Sequence, residues 1–84
     1  MTTRADIFMT FWVIYDHPKD HPDDWVVRRQ YLVRKEGGGS EVMADRNATL
    51  HRTLHDARTA GVPPGLFCLP HQPGEPAYIH ETWF

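Results

Sequence analysis

The first strongly patterned segment of the chain is the apolar run IFMTFWVIY at residues 7–15. It is rich in aromatic and β-branched residues and shorter than a typical helix, so it predicts a β-strand. Alternation assigns seven apolar side chains to its two faces, with Phe8, Trp12 and Ile14 on one and Met9, Phe11, Val13 and Tyr15 on the other. Because both faces are apolar, we expect each to be covered or to contact a partner.

The second patterned segment, WVVRRQYLVRK at residues 25–35, alternates apolar and polar positions. One face would carry Trp25, Val27, Arg29, Tyr31 and Val33, and the other Val26, Arg28, Gln30, Leu32 and Arg34. A half-polar strand is typical of an antiparallel sheet with one wet face. The glycine-rich EGGGSE at 36–41 predicts a tight turn after it, and EVMA at 41–44 predicts a short edge strand.

The segment LHRTLHDARTA at residues 50–60 predicts the helix of the protein. Its apolar positions recur at roughly helical spacing, and either Thr49 or Asn47 is a suitable N-cap. Gly61 is expected at the C-terminal end of the helix, and the Pro-Pro pair at 63–64 prevents its continuation.

Two further strands are predicted at residues 65–70 and 77–84. The resulting order, β-β-(β)-α-β-β, indicates an α+β fold in which an antiparallel sheet of four to five strands has one helix across one face. At 84 residues the chain is expected to be one domain, with residues 1–6 as a polar, disordered terminus. One helix covers only one face of such a sheet, so the other needs a loop, a partner or an exposed patch.

Composition narrows the possible functions. The net charge of −2 argues against a protein whose main activity is nonspecific phosphate binding. Cys68, the single cysteine, lies among apolar neighbours and is expected to be a buried residue in a reducing compartment. The apolar run at 7–15 is too short to span a bilayer, so we expect a cytoplasmic protein without membrane contact.

Histidine and aspartate are concentrated in DHPKDHPDD, at residues 16–24. His17, Asp20, His21 and Asp24 are potential metal ligands, but their spacing matches no compact zinc or calcium motif. The competing interpretation is a solvated turn, because Asp and Pro favour turns. His51 and His55 would share one helical face, although Arg52 stands where a zinc-protease motif requires glutamate.

Basic residues cluster on the second predicted strand at Arg28, Arg29, Arg34 and Lys35, with Trp25 and Tyr31 between or beside them. Cations beside aromatic rings on a sheet are typical of single-stranded nucleic-acid binding. The acidic net charge favours the alternative, in which these cations pair with carboxylates of neighbouring strands.

The chain resembles a family of small uncharacterised bacterial proteins in the segments TFWVIYDHPKDHPDDWVVRR, ATLHRTLHDARTAGVPPGLFCLP and YIHETWF. The shared features are an aromatic strand, an Asp- and Pro-containing turn, an arginine-bearing strand, a TL helix start, a PPGL exit and an acidic-Trp ending. The resemblance implies a bacterial, cytoplasmic, single-domain protein and no assigned activity.

A nucleophile with a general base is not evident, because Ser40 lies in the glycine turn and Cys68 is expected to be buried. We therefore expect a small non-enzymatic binding module, without a cofactor, that forms a homodimer or binds a protein partner through an aromatic sheet. The candidate binding residues are Trp12, Tyr15, Trp25, Arg28, Tyr31 and Trp83. Metal binding by the loop at 16–24 and single-stranded nucleic-acid binding by the strand at 28–35 are the alternatives.

Overall fold

The computed structural model describes residues 7–84, so the disordered terminus expected at 1–6 lies outside the described residues. Within this range the chain forms five strands and one helix. They are β1 (Ile7–Asp16), β2 (Trp25–Arg34), β3 (Ser40–His51), α1 (Leu54–Ala60), β4 (Cys68–Pro70) and β5 (Ile79–Trp83). The predicted strands at 7–15 and 25–35 are confirmed almost to the residue.

The five strands form one antiparallel sheet in the order β3-β2-β1-β5-β4. Strands β1 to β3 follow one another as a meander, because short turns join neighbours that pair. Helix α1 and the segment after it then take the chain to the opposite edge, where β4 lies. Strand β5 returns between β4 and β1, so the aromatic strand β1 is central.

The loop between β1 and β2 is a compact turn, as one of the two sequence interpretations predicts. The His21 amide donates to the Pro18 carbonyl at 2.9 Å, and the Asp24 amide donates to the His21 carbonyl at 3.2 Å. His17 has a φ of 46°, which lies in the left-handed region that few non-glycine residues occupy. The loop therefore has a defined backbone course between two paired strands.

Strand β3 is the main departure from the predicted elements. It runs from Ser40 to His51, whereas the sequence predicts a strand only at 41–44 and a helix from residue 50. The outer backbone groups of the ten-residue β2 need partners, and residues 48–51 supply them opposite residues 25–28. The predicted N-caps Thr49 and Asn47 are therefore wrong, since both lie in β3.

Helix α1 begins after Thr53, whose side-chain oxygen accepts a hydrogen bond from the Asp56 amide at 3.0 Å. It ends at Gly61, which has right-handed backbone angles. A Cβ at Gly61 would lie 2.7 Å from the Ala57 carbonyl oxygen and 2.7 Å from Val27 Cγ2. Glycine is therefore required here for close packing of the helix end on the sheet.

The core lies between α1 and one face of the sheet, which we call the helix-side face. Ile14 and Val27, paired on β1 and β2, contact Ala57 of the helix and Val62 after it. The partly buried residues packed against this cluster are Trp12, Trp25, Leu54, Leu66 and Trp83. Three tryptophans thus flank an aliphatic core.

The opposite face, which we call the open face, has none of the helical residues of the described chain packed on it. Cross-strand pairs place the side chains of this face in successive rows. The rows are Met9–Leu32–Val42, Phe11–Gln30–Ala44, Val13–Arg28–Ala48 and Tyr15–Val26–Leu50. This face is only partly uncovered, because Val13 and Val26 on it are buried whereas Met9, Val42 and Leu50 are exposed.

The fold is mostly β, and the predicted antiparallel sheet with one helix is confirmed in outline. The helix is shorter than predicted, with seven residues from Leu54 to Ala60. Strands β4 and β5 are also shorter than the segments 65–70 and 77–84. Among the described residues, no helix has the length and hydrophobicity needed to cross a membrane.

Candidate functional site

The predicted aromatic binding residues are divided between the two faces of the sheet. Trp12, Trp25 and Trp83 lie on the helix-side face, half-buried against the core. Their packing against Ile14 and Val27 gives them a role in stability. Tyr15 and Arg28 lie on the open face, so the six candidate residues do not form one surface.

Tyr31, the sixth candidate, belongs to a polar cluster around a bulge in β3. Arg28 pairs with Ala48 and Gln30 with Ala44, so Arg29 faces the three residues 45–47. Asp45 Oδ2 accepts hydrogen bonds from Arg29 Nη2 and the Tyr31 hydroxyl, each at 3.0 Å. The Asn47 amide donates to Asp45 Oδ1 at 2.9 Å.

These donors explain the low pKa of Asp45. The Asn47 amide, Arg29 and Tyr31 stabilise the carboxylate and lower the pKa of Asp45 to about 2. Arg29 also lies over the Tyr31 ring, 5.3 Å from its centroid. The Arg29–Asp45 pair confirms the alternative in which an arginine of β2 pairs with a carboxylate of a neighbouring strand.

The remaining arginines of the predicted basic row are dispersed. Arg28 Nη1 donates to the carbonyl oxygens of Asp45 at 2.8 Å and Arg46 at 3.4 Å. The Arg34 guanidinium lies 5.7 Å from the centre of the Phe8 ring. With Arg29 on the other face and paired to Asp45, these residues do not form one continuous basic strip.

A cleft lies on the open face, at the end of β1 and the start of β2. It has a volume of about 420 Å³ and lies against the loop at 17–24. Its lining residues are Tyr15, Pro18, Lys19, Asp20, Val26, Arg28 and Tyr78. The structure thus brings the candidates Tyr15 and Arg28 together.

The two tyrosines of this cleft are held in a defined arrangement. The Tyr15 and Tyr78 rings stack with centroids 6.0 Å apart and an angle of 29° between their planes. The Tyr15 hydroxyl accepts a hydrogen bond from Gln30 Nε2 at 2.6 Å. Burial raises the pKa of Tyr15 despite the opposing effect of Arg28, so its phenol keeps its proton at neutral pH.

The potential metal ligands of the loop do not converge. His17 Nδ1 lies 2.5 Å from Asp16 Oδ1, and the His17 ring contacts Trp25 edge-on. His21 Nε2 lies 3.8 Å from Asp20 Oδ2. Within residues 7–84, no group of three or more His, Cys, Asp or Glu side chains is arranged to hold a metal ion.

Two predictions about individual residues are wrong. His51 and His55 do not share a helical face, because His51 ends β3 and only His55 is helical. Cys68 is exposed, because β4 is an edge strand of three residues with no described strand beyond it. Its thiol is nevertheless weakly acidic, since partial burial and the neighbouring Glu81 carboxylate raise the pKa of Cys68.

Glu81 is a key polar residue that sequence reasoning did not select. It is 3% exposed and lies on the helix-side face, paired with Ile14. Its carboxylate accepts hydrogen bonds from Arg58 Nη2 at 2.6 Å and Nε at 3.0 Å, Trp83 Nε1 at 2.6 Å and Cys68 Sγ at 3.4 Å. His80 Nε2 lies 3.3 Å from its Oε1.

Burial acts to raise the pKa of Glu81, but the donors from Arg58, Trp83 and Cys68 outweigh it and the pKa is lowered. The signal for this residue was present in the sequence, because strict alternation places Glu81 on the same side as the apolar Ile79 and Trp83, although a bulge opposite β1 puts Ile79 on the open face in the structure. A glutamate on the apolar side of a strand needs a cation. That cation, Arg58, lies 23 residues away in the chain, so its identity was not evident.

The open face also carries an apolar patch at the end opposite the cleft. Met9, Leu32 and Val42 form one continuous row across β1, β2 and β3. A β-bulge places the extra residue Phe8 beside this row, near Arg34, and interrupts the predicted alternation of β1. We define the apolar patch as Phe8, Met9, Leu32 and Val42. Phe8, Met9 and Val42 are all exposed.

Comparison with known proteins adds no assignment to these observations. No protein-family model, no curated protein and no solved structure matches the chain. The resemblance to a bacterial family therefore stays a prediction.

Proposed function

We propose that the protein is a small non-enzymatic binding module that self-associates through the open face of its sheet. The observation that carries this proposal is the apolar row Met9–Leu32–Val42, which crosses three strands on the face opposite α1. Val42 is 55% exposed and Met9 is 38% exposed. A contiguous exposed apolar patch is typical of an interaction surface.

The dimensions of the sheet support a dimer interface. Strands of ten residues in a five-stranded sheet outline a rectangle of about 33 by 24 Å, or roughly 800 Å². A standard protein–protein interface buries about 800 Å² on each partner. This rectangle is an upper limit, because β4 and β5 are short and Val13 and Val26 on this face are already buried within one chain. The predicted contact is centred on the apolar patch and leaves the cleft end of the face free, so the predicted dimer is a weak one.

The charge around the apolar patch favours a second copy as the occupant. The chain that borders the patch, from Arg34 through the glycine turn to Glu41, contains two cations and two anions. A border without net charge provides no net electrostatic attraction for a strongly charged partner. Two identical copies related by a twofold axis would meet without net repulsion, because the border is neutral overall.

The test compares two substitutions on adjacent residues of β3. Val42 belongs to the open face, whereas Met43 pairs with Tyr31 on the helix-side face, and the two are similarly exposed at 55% and 46%. We expect Val42→Lys to raise the dimer dissociation constant at least about tenfold and Met43→Lys to leave it nearly unchanged. Circular dichroism establishes that both variants are folded.

The measurement is sedimentation equilibrium from about 10 to about 500 µM, a range that includes weak and moderate dimers. A mass of one chain throughout this range would refute self-association. Equal weakening by both substitutions would also contradict the proposal, because it would indicate that dimers form by edge pairing of β3. Edge pairing uses the backbone of that strand, to which both residues contribute equally.

A further inference from the structure

We infer that the cleft beside the loop at 17–24 binds a small organic anion that has a planar ring. The cleft and the apolar patch lie at opposite ends of the open face, so this inference does not depend on self-association. Tyr15 and Met9 are six residues apart on β1, which corresponds to about 20 Å along a strand.

The size and shape of the cleft fit a small molecule. Its volume of about 420 Å³ is within the range of roughly 300–1,000 Å³ that small-molecule sites occupy. Val26, which is buried, forms part of the floor, and Pro18 contributes an apolar wall. An apolar cleft with a few convergent polar groups is the usual composition of a ligand site.

The two tyrosines of the cleft fit a planar ring. Tyr15 and Tyr78 stack on each other and both line the cleft, and Tyr78 remains half exposed. An exposed aromatic face at the rim offers a surface on which a planar ring can stack. The Tyr15 hydroxyl accepts from Gln30, which leaves its own hydrogen free to be donated to a ligand oxygen.

The charged residues that line the cleft are two cations and one anion. Lys19 and Arg28 outnumber Asp20, whose carboxylate lies 3.8 Å from the imidazole of His21. Among residues 7–84, Arg28 donates only to two backbone carbonyl oxygens through Nη1 and forms no ion pair. These carbonyls orient the guanidinium but leave its charge uncompensated, so an anionic group is the complementary ligand.

Backbone hydrogen bonds fix the segments that form the cleft. Two backbone hydrogen bonds close the turns of the loop, His21 to Pro18 and Asp24 to His21. The Asp16 amide donates to the Tyr78 carbonyl at 2.7 Å, which attaches the second tyrosine to the end of β1. A ligand would therefore bind without the entropic cost of ordering these segments.

Binding is tested by titration of the full-length protein, followed by amide chemical shifts. The two probes are 4-hydroxybenzoate, a ring with a carboxylate, and adenosine monophosphate, a ring system with a phosphate. We expect saturable shifts at residues 15–20, 26–28 and 78 with a dissociation constant on the order of 0.1–1 mM for at least one probe. Which probe binds more tightly distinguishes a carboxylate source from a phosphate source.

Neutral and ringless compounds test the contributions of the anionic group and of the ring separately. Benzamide and adenosine keep a ring without the anion, and acetate and inorganic phosphate keep the anion without a ring. Each should bind at least about tenfold more weakly than its parent, because one of the two recognition elements is lost. Equal affinity for a neutral analogue would overturn the role of the cations, and equal affinity for a ringless anion would overturn the role of the tyrosines.

Two pairs of variants complete the test. Lys19→Gln should weaken binding about 3- to 10-fold, whereas Lys35→Gln, just beyond the far end of β2, should not change it. Tyr78→Leu should weaken it by about the same factor, whereas Phe67→Leu replaces an exposed aromatic residue outside the cleft lining and should have no effect. Absence of saturable shifts with both probes at about 10 mM, or equal effects within a pair, would refute the site.

Discussion

Substitution of Glu81 by glutamine is the most direct test of how the helix is attached to the sheet. Glu81 is 3% exposed and its carboxylate accepts hydrogen bonds from Arg58, Trp83 and Cys68. Arg58 lies on α1 and Glu81 on β5, so the ion pair connects the helix to the strand beside β1. Glutamine has nearly the same shape but lacks the charge and presents an amide donor.

The expected loss of stability follows from these contacts. A hydrogen bond to a charged group contributes about 1.5–3 kcal/mol, and an unsatisfied donor costs about 1–3 kcal/mol. The side chain of Arg58 is 44% exposed, so its charge is rehydrated when its partner is lost and the cost is below that of a fully buried pair. We expect Glu81→Gln to destabilise the protein by about 2–3 kcal/mol, which lowers Tm by about 10–20 °C.

The pH dependence of this effect has a definite sign. Because the pKa of Glu81 is lowered in the folded protein, its stabilising effect is complete above the unfolded value of about 4.3 and is lost as the pH falls through the folded value. The wild type loses this contribution in acid and the glutamine variant does not. The difference between the two should therefore be largest at neutral pH and decrease below about pH 4.

The assay is urea unfolding followed by tryptophan fluorescence, since all three tryptophans lie on the helix-side face. Glu41→Gln on the exposed edge strand β3 is the matched control, and its effect should remain within about 0.5 kcal/mol. If Glu81→Gln lowers the free energy of unfolding no more than this control does, the stabilising role of the Glu81–Arg58 pair is refuted. It is also refuted if the difference from wild type is the same at pH 7 and pH 3.

Three further predictions concern the helix ends and the bulge. Gly61→Ala should destabilise the protein by about 1–2 kcal/mol in urea unfolding, because the alanine Cβ would lie 2.7 Å from a backbone oxygen of α1 and 2.7 Å from Val27. A variant more stable than the wild type would contradict the need for glycine at this position. Thr53→Ala should cost about 1 kcal/mol through loss of the N-cap, and Thr59→Ala on the exposed helix surface serves as a control that should cost less. The pKa of Asp45 is lowered to about 2 in the folded protein, so its contribution to stability is present above about pH 4 and is lost as the pH falls toward 2. An NMR titration of its carboxyl group should give a midpoint near this pKa. A midpoint near 4 would exclude the contacts from Arg29 and Tyr31.

Much of the sheet could be predicted from local pattern. The strands at 7–15 and 25–35 were evident because aromatic and β-branched residues are dense there and turn-forming residues bound them. The glycine turn was evident for a similarly local reason, since Gly37, Gly38 and Gly39 all have positive φ. These features depend on the preferences of adjacent residues, which a single sequence displays directly.

The candidate site could be predicted only in part. Tyr15 and Arg28 were selected because their residue types favour binding, and the structure places both in the cleft. Their neighbour Tyr78 was not selected, because the contact joins β1 to a residue 63 positions later in the chain. The tryptophans were selected for the same chemical reason as Tyr15, but contact with α1 makes them part of the core wall.

The sequence by itself determined where the chain prefers to be extended, where it turns and which faces are apolar. The tertiary structure alone decided that residues 45–51 extend β3, because the unpaired edge of β2 satisfies more backbone groups than an earlier helix start. It also decided that Glu81 meets Arg58 and that Tyr15 meets Tyr78. Such contacts depend on strand order and register, and these are set by the combined packing of distant segments, so no local pattern encodes them.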